Sequence, residues 1–134
     1  MSKNRKIDAA IGLLGLGKVY LHTFIDNNQQ CSLCGNRAAN EVICYSSVPN
    51  FGTSIDDASD LLAGLMKDAP YGIDVTFNKL TNKYVFIYKG KEFKEDKIFK
   101  SSTAPEGIRQ IALYHYKIDI SQVCDKVPTF NIQV

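Results

Sequence analysis

The stretches SIDDASDLLAGLMKD (residues 54–68), IDVTFN (73–78), YVFIY (84–88) and TAPEGIRQIALYH (103–115) decide the fold. Ser54 followed three residues later by Asp57 is a capping box, in which side chains satisfy amides that a helix start leaves unpaired. Ile55, Ala58, Leu62, Leu65 and Met66 then recur at helical spacing and predict one apolar face, ended by Ala69-Pro70-Tyr71-Gly72. Thr103-Ala104-Pro105-Glu106 opens a second helix, with proline in the first turn, where its missing donor costs nothing. Its apolar face is Ile108, Ile111, Ala112 and His115.

Between the helices, Ile73, Val75 and Phe77 alternate with Asp74, Thr76 and Asn78, the pattern of a strand with one buried face. Asn78 to Asn82 is a turn. Tyr84, Phe86 and Tyr88 alternate with Val85 and Ile87, so the next strand is apolar on both sides and is expected at the sheet centre, covered above and below. Phe93 to Lys100 is rich in charge and predicts an exposed edge strand. The fold class is α+β, an antiparallel sheet sandwiched with helices, containing a helix–three strands–helix unit at 54–117.

The chain has 134 residues, 45% of them hydrophobic and 22% charged, values of an ordinary globular protein. That length predicts one domain, with an N-terminal helix and hairpin at 1–53, the central unit at 54–117 and an extension at 118–134. The net charge of +2 announces neither a nucleic-acid nor a membrane partner. Of the 16 basic residues only Arg5, Arg37 and Arg109 are arginine, the side chain suited to phosphate forks and base edges. No apolar run approaches the roughly 20 residues that span a bilayer, and a cytoplasmic protein is expected.

Near the N-terminus, Asn4 to Leu14 predicts a short helix with Ile7, Ala10, Ile11 and Leu14 on one face, stopped by Gly15 and Gly17. Gly12 to Lys18 has the G-x4-G-K spacing of a phosphate-binding loop. Val19 stands where a magnesium-binding hydroxyl belongs, and no strand precedes the motif, so a glycine-capped helix end is the better reading. Lys18 to Ile25 predicts a strand and Glu41 to Tyr45 its hairpin partner, with His22 reading as a packed or surface residue. Between them, Cys31-Ser32-Leu33-Cys34-Gly35 has the shape of one zinc knuckle. Cys31, Cys34 and Cys44 are the candidate ligands of a structural zinc, with His22 or Cys124 left to complete the set. The competing reading is reduced thiols in a loop, with Cys44 as a small apolar core residue.

The chain resembles the phage ABA-sandwich domain family, small proteins of phages and prophages. The residues that carry the resemblance are Ile7-Asp8-Ala9 with a glycine after the helix, and Val48-Pro49-Asn50-Phe51 running into Ser54-Ile55-Asp56-Asp57-Ala58. Thr103-Ala104-Pro105-Glu106-Gly107-Ile108 with Ala112-Leu113 completes the set, over about residues 4 to 117. The chain departs from the family in having no tryptophan, in its cysteine loop and in its longer tail. The resemblance implies the fold and a phage or prophage source, and it brings no catalytic residues.

Three further signals bear on function. From Lys79 to Lys100 seven lysines stand against three acids, interleaved with Tyr84, Phe86, Tyr88 and Phe93. Basic residues with aromatics on a sheet suit single-stranded nucleic acid, whereas Ala104-Pro105-Glu106 would repel the phosphates of a double-stranded RNA. Asp56, Asp57, Asp60 and Asp68 read as the solvated face of a helix, and His22 and His115 lie in no nucleophile motif. Phe130, Ile132 and Val134 alternate with polar residues and predict an edge strand or partner-binding extension. The expectation is a non-enzymatic phage accessory protein that binds a host protein, an inhibitor of a bacterial defence system such as CRISPR being one form of it. Its contact residues would be Lys91, Phe93, Lys94, Lys97 and Lys100. The alternatives are a small-ligand or nucleotide sponge, using Lys89, Lys91 and Arg109, and a single-strand nucleic-acid binder. No cofactor beyond structural zinc is expected, and a homo-oligomer is compatible with all of these readings.

Overall fold

The computed structural model describes residues 3–18, 20–21, 24–25, 30–31 and 44–119. The chain divides into two compact units, one of Asn50–Lys117 and one of Met1–Pro49 with Ile118–Val134. The expected tail strand at Phe130–Val134, His22, Cys34 and Cys124 lie outside the described residues.

In the second of these units, α1 (Lys3–Ala10) runs into a π-turn at Ile11–Gly15. The Leu16 amide donates to the carbonyls of Ile11 and Gly12, at 3.1 and 3.2 Å. The bond spanning five residues widens the turn. That widening carries Leu14 off the apolar face: Ile7, Ala10 and Ile11 are buried, while Leu14 is 46% exposed. Gly17 then takes φ 67°, a left-handed conformation that suits glycine. Arg5 ties the helix to the segment that packs beside it. Its guanidinium pairs with Asp8 at 2.9 Å and donates to the carbonyls of Tyr45, Val48 and Pro49 at 2.7, 2.7 and 3.1 Å.

The predicted strand Lys18–Ile25 is represented by β1 (Phe24–Ile25), which pairs antiparallel with β2 (Gln30–Cys31). Of the expected partner Glu41–Tyr45, residues 41–43 lie outside the described residues, and its described end still meets the predicted strand. Tyr45 opens a 3-10 turn, Tyr45–Ser47, and the amide of Cys44 donates to the Tyr20 carbonyl at 2.8 Å.

In the unit Asn50–Lys117, α2 (Ile55–Asp68) starts at Ser54, whose hydroxyl accepts the Asp57 amide at 3.3 Å. The Asp57 carboxylate accepts from the Asn50 amide at 2.8 Å, reaching further back than the expected box. The buried face is Ala58, Leu61 and Leu65, with Leu62 half-buried. Ile55 and Met66, expected on that face, are 55% and 44% exposed. The pairs Leu61-Leu62 and Leu65-Met66 offer two adjacent stripes, and packing selects the one led by Ala58 and Leu61.

The strands β3 (Ile73–Asn78), β4 (Lys83–Tyr88) and β5 (Lys97–Ser101) form an antiparallel sheet in that order. β4 is central, as its apolar composition predicts. Phe93–Lys100 is not one strand: Phe93–Glu95 is a 3-10 turn and the strand begins only at Lys97. The cause is Asp96, whose carboxylate accepts the Gly90 amide at 2.8 Å and so folds the connection back on itself.

The last helix, α3 (Ala104–His115), is capped by Thr103, which accepts the Glu106 amide at 3.4 Å. It buries Ile108, Ile111 and Ala112 as predicted, packing on β4 and β5, with α2 alongside it. Gly107 permits the closest approach. A Cβ there would overlap the ring of Phe86, which is fully buried, and lie 2.7 Å from the Ser101 hydroxyl.

The mixed α+β class and the helix–three strands–helix unit at 54–117 are therefore present. Pairing register places Tyr84, Phe86, Tyr88 and Phe99 on the face that meets α3. The other face carries Asp74, Thr76, Val85, Ile87, Ile98 and Lys100, and neither helix of the unit covers it. Ile98 there is 57% exposed and Val85 and Ile87 are half-buried. An antiparallel sheet tolerates one wetted face, which is where the expected cover above and below β4 differs within this unit.

Candidate interaction surface

The five residues expected to make contacts fall at three places. Lys91, Phe93 and Lys94 belong to the β4–β5 connection, Lys97 lies opposite Tyr88 on the helix-bearing face, and Lys100 lies opposite Val85 on the open face. The connection is built rather than loose. Asp96 accepts the Gly90 amide and faces Lys89 Nζ at 3.8 Å, and Lys89 also meets Asp74 at 3.4 Å. Gly90 sits so close to Glu95 that a side chain would strike the backbone carbonyl carbon at 2.8 Å. The amides of Glu95 and Asp96 donate to Glu92 and Phe93 at 2.8 and 3.2 Å. On this framework Phe93 is 90% exposed. Lys94 meets Glu92 at 3.3 Å, but both are solvated and such a pair contributes little.

An aromatic ring held in water by a fixed loop is what a partner's pocket binds, because little side-chain or loop entropy is lost on docking. Lys91 and Lys94 flank it together with Glu92 and Glu95, so charges of both signs surround the ring. By contrast, the expected stacking platform for single-stranded nucleic acid is not on the open sheet face: the rings of β4 and β5 point toward α3, and the open face presents Val85, Ile87 and Ile98. Of the cations assigned to a sponge, Lys89 is engaged by two carboxylates and Arg109 lies against Gly52, whose missing Cβ leaves room for the guanidinium.

Sequence reading missed a polar contact at the other end of α3. The Tyr88 hydroxyl and His115 Nδ1 are 2.6 Å apart, with Tyr114 stacked edge-on to Tyr88 at 5.1 Å and Tyr116 to His115 at 4.9 Å. Burial above all, then the Tyr114 hydroxyl and the Asp68 carboxylate, push the Tyr88 phenol above its ordinary value. Tyr116 is raised by burial and by Asp68. The contact joins the last residue of β4 to the last residue of α3, so the pair binds helix to sheet. The signal was available: Tyr88 closes an aromatic strand and His115 closes a helix face.

The carboxylates of α2 are not gathered into a metal-holding group among the described residues. Asp57 caps a backbone amide, Asp56 and Asp60 are exposed, and among the described residues no group of three acidic, histidine or cysteine side chains could hold a metal ion. Of the expected zinc ligands, Cys31 lies in β2 and Cys44 is fully buried, and Cys34 falls outside the described residues. At the G-x4-G-K stretch, Tyr20 occupies the space beside Gly12, and the Leu16 and Lys18 amides donate to carbonyls of the same turn. Amides spent in that way do not cradle a phosphate.

No family profile and no curated protein matches the chain. Among solved structures it is similar to a phage protein from Bacillus cereus ATCC 14579, at 20% identity and a TM-score of 0.52, covering 89% of this chain and 91% of that one. At that identity the likeness shows a shared fold. No helix among the described residues is long and apolar enough to cross a membrane.

Proposed function

We propose that this is a non-enzymatic accessory protein of phage or prophage origin that acts by binding a host protein, Phe93 being the anchor of the contact. The observation that carries the reading is the exposure of Phe93 on a connection pinned by Asp96. A solvated phenylalanine has no role in the core, and a pinned loop holds it ready. The fold shared with a Bacillus phage protein supports the origin. Inhibition of a defence system is one form such binding takes.

The test compares the wild-type chain with Phe93→Asp and with Lys91→Glu/Lys94→Glu, each immobilised in host lysate. One host protein should be retained by the wild type, and Phe93→Asp should weaken its purified complex about 30-fold, the effect of losing a central anchor. The double charge reversal should change the association rate and its salt dependence. Equal retention by wild type and Phe93→Asp refutes the assignment. A rise in melting temperature with a panel of nucleotides would favour the sponge instead.

A further inference from the structure

The sheet has two edges, and they are not equally protected. β5 is short and carries Lys97 and Lys100, the residue type that natural edges use against further pairing. β3 carries no lysine, proline or glycine across Ile73–Asn78, and among the described strands only β4 lies beside it. Val75 and Phe77 are 39% and 45% exposed.

The phase of the ladder says which backbone groups of β3 remain to be used. The Lys89 amide donates to the Gly72 carbonyl at 3.0 Å, so Gly72 and Lys89 form a hydrogen-bonded pair. Such pairs alternate along an antiparallel ladder. Asp74 with Ile87 and Thr76 with Val85 continue the series, and Ile73, Val75 and Phe77 therefore direct their amides and carbonyls away from β4.

From this the geometry points to β3 as a homodimer edge, pairing antiparallel with β3 of a second copy about a two-fold axis at Val75. A two-fold perpendicular to the sheet keeps the helix-bearing faces on one side, which requires residues of like parity to oppose each other. Centring on Val75 satisfies that rule and uses every outward group: Ile73 opposes the second copy's Phe77, Val75 opposes its equivalent, and Phe77 opposes Ile73. On one face these contacts extend the apolar stripe over the exposed rings and methyls. On the other, Asp74 opposes Thr76, so no like charges meet. Centring on Thr76 engages fewer of the outward groups. The occupant that fits the edge is the edge itself, as an isologous interface demands.

Sedimentation of the intact chain over a concentration series is the test. The wild type should dimerise, and Val75→Lys, which sets two ammonium groups against each other on the axis, should weaken the dimer roughly tenfold or more with an unchanged circular dichroism spectrum. Val75→Cys supplies a second arm that does not depend on that variant's fold. Opposed hydrogen-bonded residues have Cα atoms about 5.5 Å apart, within disulfide reach. Mild oxidation of that variant should therefore join two chains through the introduced thiols, seen by mass spectrometry as two copies of the same β3 peptide bridged to each other. A chain that stays monomeric to about 1 mM, weaker than a specific dimer, overturns the proposal. So does a dimer that Val75→Lys leaves intact, or one in which the introduced thiols form no bridge.

Discussion

Replacing Gly107 by alanine sets two effects of opposite sign against each other in the middle of α3. Alanine is the better helix former by about 1 kcal/mol, and on an exposed helix that alone would stabilise the protein. Here the new methyl would enter the ring of Phe86 and approach the Ser101 hydroxyl, itself held by a 2.6 Å bond to the Thr103 carbonyl. Phe86 is fully buried on the central strand and cannot swing into solvent. The helix must lift, and overpacking of that kind costs about 1–3 kcal/mol before the lost contacts of Ile108 and Ile111 are added. The net expectation is a loss of about 2 kcal/mol, or about 8 °C in melting temperature for a chain of this size. Urea denaturation of the intact protein measures it. The sharper test is the cycle with Phe86→Leu: the smaller side chain leaves a void that the new methyl partly fills, so the double variant should be more stable than the sum of the single losses by about 1 kcal/mol. Gly107→Ala as stable as wild type, or strict additivity in the cycle, would refute the packing argument.

Other expectations follow from single contacts. Tyr20, Tyr88 and Tyr116 are each raised, chiefly by burial, so the folded chain holds their protons above the ordinary tyrosine value while the unfolded chain releases them. Stability should therefore be full below about pH 10 and fall as pH rises beyond it, measured as the urea midpoint against pH. The Tyr20 hydroxyl is buried without a hydrogen-bond partner among the described residues, so Tyr20→Phe should keep or raise stability by up to about 1 kcal/mol and reduce the alkaline loss. Ser54→Ala and Thr103→Ala should each cost about 1 kcal/mol by leaving a helix amide unsatisfied, and the two losses should add. Arg5→Lys retains the charge but not the fork that reaches Asp8 and three carbonyls, and a loss of about 1–3 kcal/mol is expected by thermal melting.

The parts of the fold legible in the sequence are those where local chemistry and tertiary packing ask for the same thing. Ser54 and Thr103 cap the helices they precede, and the Tyr84–Tyr88 run, apolar on both faces, is the strand that lies at the sheet centre. Legibility ended where two local solutions cost the same. Leu61 and Leu62 serve either register of α2, and only contact with α3 distinguishes them. The shift of Leu14 needed the π-turn, which hydropathy does not encode. Among the contact residues, the alternation of Lys97 and Lys100 with Ile98 and Phe99 already separates the lysines onto two faces. The isolation of Phe93 was hidden, because Asp96 reads as one more charge of an edge strand until its bond to Gly90 is seen.

The division of labour between the two faces of the sheet bears on how such a protein can evolve. Phe86, Tyr88 and Phe99 are answerable to α3, and a change at any of them must be matched across a packed boundary. Thr76, Ile98 and Lys100 are exposed and answer to no helix of their unit, so their side chains can be rewritten one at a time while the scaffold stays put. A lineage obliged to follow a drifting target would find its raw material there.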